Sequence, residues 1–338
     1  MVLKKILLFL MLSSSLALSA VPSSVTLPGK VPGYDFGDIA QDFGLRMHRR
    51  SGEIEFRRKN TSLKFFLPKK EISFNGIKVI PGYAPVSCTS RPAKSQYSLV
   101  LGRWVKSSEA FPAVAVSRSD WKSTFRPLLD PHSVPGHKIA RITLDAGHGG
   151  SDTGALGKRS KEKVLTLKIT QRTAAILRSC GYKVYLTRSS DKEISLKKRS
   201  QLQRQHKSDL FVSIHINAAA NRSVSGIETF ALTSADAPSS MGKAEKISNP
   251  ANVRDGNNVL LAYHLQKALI GRTKAVDRGV KRARFAVLKD ISAPGALVEV
   301  GFISNAAEEA KLNQKDYVEK LARAIAEGII AYHRSLKR

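Results

Sequence analysis

Two short stretches constrain this chain more than any others: Ile142-Thr-Leu-Asp-Ala-Gly-His-Gly-Gly150 and Asp209-Leu-Phe-Val-Ser-Ile-His-Ile-Asn217. In each, a histidine follows an apolar run of strand length, so His148 and His215 are expected at the ends of buried strands. A rigid sheet can aim two such imidazoles at one point, as a metal centre requires. Between them Glu162 precedes the helical run Val164 to Cys180 and is a candidate third ligand. Its setting among Lys158, Arg159, Lys161 and Lys163 also suits a solvated acid favoured by the helix dipole. Glu299 ends a further apolar strand within Ala296-Leu-Val-Glu-Val-Gly-Phe-Ile-Ser-Asn305. Two histidines and a carboxylate leave a tetrahedral zinc ion one open position, as in catalytic sites, and a second acid can manage the proton of the attacking water. The residues alone therefore reach a zinc-dependent hydrolase.

The pattern around these motifs is α/β. Apolar runs at Ile142 to Leu144, Lys183 to Leu186 and Leu210 to Ile216 alternate with helical segments beginning near Lys163 and running toward Gln205. Val318, Leu321, Ile325, Ile329 and Tyr332 recur at three- and four-residue steps and give the last helix one apolar face. The expectation is a mixed β-sheet flanked by helices over residues 140–335. Upstream the runs are shorter and alternate, as in Ile54-Glu-Phe56 and Ile72-Ser-Phe74, and Asn75-Gly76 before Ile77 is a strong hairpin signal. Residues 21–131 thus read as a small β-rich domain, and 132–139, with Pro135 and Gly136, as a linker.

Taken together, the motifs resemble the zinc-dependent N-acetylmuramoyl-L-alanine amidases of the type 3 family. In that family a Gly-His-Gly-Gly turn, a helix-start Glu, a Ser-Ile-His-x-Asn strand and a Glu-x-Gly-Phe-x-Ser-Asn strand recur in this order. Tyr185-Leu-Thr-Arg188, Ile194-Ser-Leu with Arg199, and Gly226-Ile-Glu-Thr-Phe230 extend the likeness. The resemblance implies His148, Glu162 and His215 as zinc ligands and Glu299 as the catalytic acid-base. Asp145 is expected to orient an imidazole, Arg188, Arg199 and Asn217 to hold site or substrate, and Glu228 is a further candidate. The implied reaction cleaves the amide between the lactyl group of muramic acid and L-alanine in peptidoglycan, in wall remodelling or daughter-cell separation. A zinc peptidase acting on wall cross-links and a non-catalytic peptidoglycan-binding module are the alternatives. The Phe74 to Val79 run, Asp120-Trp121 and Arg126-Pro-Leu-Leu-Asp-Pro131 look like the small N-terminal domain of copper amine oxidases and carry no catalytic residues over.

Residues 1–20 have the three-part form of a secretory signal: Lys4-Lys5, an apolar stretch from Ile6 to Leu12, and small residues to Ser19-Ala20. No later run reaches the length of a membrane span, so an exported, periplasmic or envelope-associated protein without a transmembrane anchor is expected. A formal charge of +29 favours anionic wall or envelope polymers as partners. Nucleic acid is disfavoured as a physiological ligand, because the basic residues are spread along the chain and match no nucleic-acid module. A protein activator is allowed for, with the polar stretch 233–258 as a candidate cover for the site. Cys88 and Cys180 could form a disulfide, though Cys180 reads better as a small buried side chain, and Trp104 and Trp121 as core aromatics. His132, His137, His206, His264 and His333 read as surface or packing residues.

Overall fold

The computed structural model describes residues 22–90, 96–100, 103–107, 111–235, 237–240 and 247–336, with side chains left undescribed over 88–113. The leader expected at 1–20, and the side chains of Cys88 and Trp104, lie outside the described residues.

Parallel strands form one half of the central sheet. Lys183–Leu186, Arg141–Ala146, Leu210–Asn217 and Gly295–Phe302 lie side by side, all pointing the same way. Ile227–Leu232 then pairs antiparallel with Gly295–Phe302 and parallel with Asp277–Ala283. Both faces are covered, so these strands are apolar on both sides. Along Leu210–Asn217, Val212 and Ile214 enter the larger core cluster, while Phe211 packs with Phe230, Leu288 and Leu297 on the other face. Helices Glu162–Ser179, Asp255–Thr273 and Lys315–Ser335 cover the first face; the shorter Leu196–Gln205 and Ala286–Lys289 lie on the second. The periodic residues of the last helix, Leu321, Ile325, Ile329 and Tyr332, are all fully buried. This mixed sheet with flanking helices is the expected α/β class.

The N-terminal β-rich region continues the same sheet. Ile77–Val79 pairs with Asp277–Ala283 through Val79 and Val280, and the order runs on through Ile72–Phe74, Thr61–Phe65, Glu53–Arg58 and Arg46–Arg50, giving 11 strands. The Asn75-Gly76 hairpin forms with both residues at positive φ, 49° and 82°, as a tight hairpin turn requires. The aromatic core of this region, Phe36, Phe56, Phe65 and Phe125, joins the core of the α/β part, with Phe74 edge-on to Tyr263 at 5.3 Å. Trp121 is buried against Phe43. Packing continues through 132–139 as well, where Val134 and Ile139 are core residues. Arg282 crosses this seam fully buried, donating to the Leu232 carbonyl, the Ser123 carbonyl and Thr124 Oγ1. Cys180 differs from expectation: it caps the C-terminal end of its helix and is exposed, because that last turn faces solvent.

Candidate metal centre

The carboxyl ends of the parallel strands carry the site. His148 stands two residues beyond Ala146 in a left-handed conformation, φ 59°, which a non-glycine residue adopts only when its surroundings impose it. Two buried arginines impose it here. Arg188 donates to the Ala146 and Gly147 carbonyls at 3.0 and 2.8 Å, and Arg199 to those of Ala146 and His148 at 2.7 and 2.9 Å. Both therefore hold the turn that presents His148. Gly147 and Gly154 are needed for close approach: a Cβ on Gly147 would meet the His215 ring at 2.4 Å, and one on Gly154 would meet Glu162 Oε2 at 2.6 Å.

Glu162 opens its helix with its carboxylate turned inward between the imidazoles. Oε2 lies 3.2 Å from His148 Nε2 and Oε1 lies 3.0 Å from His215 Nδ1. The amides of Ala155 and Ile216 donate to the same carboxylate at 2.8 and 2.9 Å. Burial would raise this carboxyl, but the hydrogen bonds of both histidines, the charge of His215 and the Ile216 amide hold it far below the usual range. It is 3 % exposed, so the reading of Glu162 as a solvated helix-start acid does not describe this structure. One donor atom from each of His148, Glu162 and His215 lies within 4.8 Å of the others. Two imidazole nitrogens and a carboxylate oxygen at such spacing can hold a metal ion, and the donor set suits zinc.

Glu299 lies directly opposite His215 in the parallel pair, which puts both side chains on one face. Its Oε2 is buried without a hydrogen-bond partner. Burial, then the charges of Glu162 and Glu228, push its carboxyl well above the ordinary carboxylate range. Asn217 turns to the neighbouring strand, donating to Glu228 Oε1 at 2.9 Å.

Asp145 departs from expectation. It is fully buried and accepts from Thr187 Oγ1, Ser213 Oγ and Arg199 Nη1 at 2.6, 2.6 and 2.7 Å, so its oxygens serve the arginine clamp and not an imidazole. Asp152 orients His148 instead, its Oδ2 2.8 Å from Nδ1. Register sets Asp145 beside Ser213, on the face of His215 but one pair earlier along the strands, where Thr187, Ser213 and Arg199 occupy its oxygens, whereas Asp152 reaches the His148 ring from the turn beyond the strand. The signal for Asp152 was present as a carboxylate four residues after His148 inside that turn. The stretch 233–258 leaves the sheet at Leu232, the end remote from His215, and its described residues bond there: Ser240 to Arg282, and Arg254 to the Ser292 carbonyl. Those residues do not cover the site.

Residues 142–331, more than half of the chain, match the family described as N-acetylmuramoyl-L-alanine amidase. The chain belongs to this family. It is 36 % identical over 231 residues to the N-acetylmuramoyl-L-alanine amidase AmiA of Escherichia coli K12, covering 60 % of this chain and 80 % of that one. The amidase LytC of Bacillus subtilis 168 is 37 % identical over 193 residues, 57 % of this chain and 35 % of LytC. The solved structure of the amidase AmiC2 of Nostoc punctiforme superposes with a TM-score of 0.50 at 30 % identity, over 59 % of this chain and 99 % of that one. The amidase described here is thus a hydrolase of peptidoglycan, and its sheet end carries a His, Glu, His group able to bind a metal.

Proposed function

We propose that this amidase works as a zinc enzyme in which His148, Glu162 and His215 hold the ion and Glu299 carries the proton. The observation behind the reading is the juxtaposition of a three-donor cluster with a buried, unpartnered carboxylate oxygen one strand away. When bound, zinc supplies Lewis acidity, polarising the scissile carbonyl and making water acidic enough to attack near neutral pH. Glu299 takes the proton of the attacking water and delivers it to the leaving amine of L-alanine. Its Oε2 has no hydrogen-bond partner and is therefore open to that proton. Asp152 fixes which His148 nitrogen faces the cluster, and Arg188 and Arg199 hold the turn against rearrangement.

The segment at 1–20 supports export to the cell envelope, and no described helix is long and apolar enough to cross a membrane. The +29 charge supports retention on anionic envelope polymers. We place the enzyme in wall remodelling or daughter-cell separation on that basis. The test is digestion of purified peptidoglycan with and without a chelator, with fragments identified by mass spectrometry. Intact stem peptides beginning at L-alanine, lost on chelation and restored by zinc, are expected. Peptides split internally would make it a cross-link peptidase, and wall binding without release would make it a binding module.

A further inference from the structure

Glu228 is a buried carboxylate that neither holds the metal nor carries the proton in the reading above, although its charge acts on Glu299. It lies opposite Glu299 in the antiparallel pair, and Glu299 lies opposite His215. Directly opposed residues share a face of the sheet, so His215, Glu299 and Glu228 form one row across three strands. The next place in the row is Gly279, which has no side chain. Arg278 and Lys281 from that strand reach over the gap to Glu228 Oε2, with Nε at 3.0 Å and Nζ at 2.5 Å. Glu228 is 3 % exposed, but the side chains of Arg278 and Lys281 keep 32 % and 21 % of their surface open to solvent.

Two partly exposed cations share one paired carboxylate at the end of the row that leads from the candidate metal centre, with Glu308 as a further acid near Arg278 that is itself bonded to the Gly226 and Phe302 amides. Among the described residues Glu228 is the acid paired with both. Arg278 spends only Nε on it, and its guanidinium lies over the Phe302 ring at 4.9 Å from the centroid. A guanidinium fixed by a buried acid and an aromatic ring offers its two terminal amines as a ready fork for a second carboxylate. Strands about 4.8 Å apart put Glu228 about 10 Å from His215. Two residues of extended peptide span about 7 Å, and a side-chain carboxylate adds to that reach.

We infer that Arg278 and Lys281, anchored by Glu228, form a subsite for a carboxylate carried on the stem peptide about two residues beyond the scissile amide. Glu228 is then a positioning residue, and its own negative charge keeps the two cations together without saturating them. The inference rests on the amidase reading, since that reading places the scissile amide beside His215 and Glu299.

The test uses two synthetic muramoyl peptides that differ only at the second stem residue, a free carboxylate in one and a primary carboxamide in the other. The zinc-loaded protein is expected to show a KM about tenfold lower for the acid. Arg278→Gln should raise KM about tenfold on the acid alone, with any change in kcat the same for both substrates. Lys281→Met is the second variant, with Glu228 still paired to Arg278, and should act in the same direction; thermal melting checks that each variant is folded. Equal KM values with the unmodified protein, or an equal rise on both substrates in both variants, would overturn the subsite. Calorimetry of the two free stem peptides on Glu299→Gln protein provides a readout apart from turnover. Preference for the acid in binding, with neither substrate hydrolysed by the unmodified protein, would support the subsite and overturn the amidase mechanism. Hydrolysis of both without preference would overturn the subsite alone.

Discussion

Buried charge is handled in opposite ways at the metal centre and at the seam between the N-terminal region and the catalytic sheet. At the seam, Arg282 is 1 % exposed, and its guanidinium is met by carbonyls and hydroxyls from Leu232, Ser123 and Thr124. Burial lowers its proton affinity, and the more distant charges of Asp255 and Asp120 oppose that effect. At the metal centre, Glu162, Glu299 and Glu228 are brought close enough for the two others to raise the Glu299 carboxyl, and one Glu299 oxygen has no partner. At Arg282, which only holds the fold, both terminal amines are hydrogen-bonded, because an unmet buried polar atom costs about 1–3 kcal/mol. Glu299, the proton carrier proposed above, is left with one oxygen unpartnered, and the fold sustains that cost through its surroundings.

The largest effect that would sharpen this contrast comes from Glu299. Glu299→Gln should lower kcat by about 10²–10⁴-fold, the range for losing a general acid-base, while zinc content by elemental analysis and the melting temperature stay near those of the unmodified protein. A variant that lost its zinc would make Glu299 structural and erase the difference between the two regions. Arg282→Met should behave in the reverse way. Its loss strands the Ser123 and Leu232 carbonyls and should cost about 3 kcal/mol in urea unfolding, with kcat of the folded fraction unchanged.

A smaller effect is expected from His264, packed on the Tyr263 and Tyr332 rings. Burial, with Lys267 adding to it, lowers its imidazole from the ordinary value near 6.5 to about 4. Between those values the unfolded chain holds the proton and the folded one does not, so stability is fully present above pH 6.5 and falls as pH drops toward 4. The loss should be on the order of 3 kcal/mol, and His264→Gln should flatten that part of the stability profile. A profile unaltered by the substitution would refute this role. Asp152→Asn gives the smallest effect, a roughly 10–100-fold weaker zinc affinity in a chelator competition, since Asp152 orients the His148 ring without itself binding the ion. Unchanged affinity would mean that the backbone turn alone sets the His148 ring.

Where the sequence was legible, the reason was local. His148, His215 and Glu299 each follow or end an apolar run, and a buried strand end is a local property of a chain. The Asn75-Gly76 hairpin was readable for the same reason, since two positive φ angles favour those residues. Asp145 misled because sequence proximity to His148 says nothing about the partners that Thr187, Ser213 and Arg199 bring to it from other segments. Cys180 misled because helix periodicity near a helix end is a weak guide to which turn faces the core. The stretch 233–258 offered a cover for the site through the family resemblance, with a plain surface loop as the alternative, and strand direction carried its described residues to the other end of the sheet.

The chain by itself determined the chemistry available and the class of fold: two imidazoles and two carboxylates on strand and helix ends, within an α/β alternation whose order matches one family. Tertiary structure decided which of those groups meet. Register across strands set Glu299 opposite His215 and Glu228 opposite Glu299, and it joined Val79 to Val280 so that the N-terminal strands extend the catalytic sheet. Local preference ends within a few residues, whereas pairing between residues scores of positions apart is settled by burial of both sheet faces and by the hydrogen bonds that burial demands.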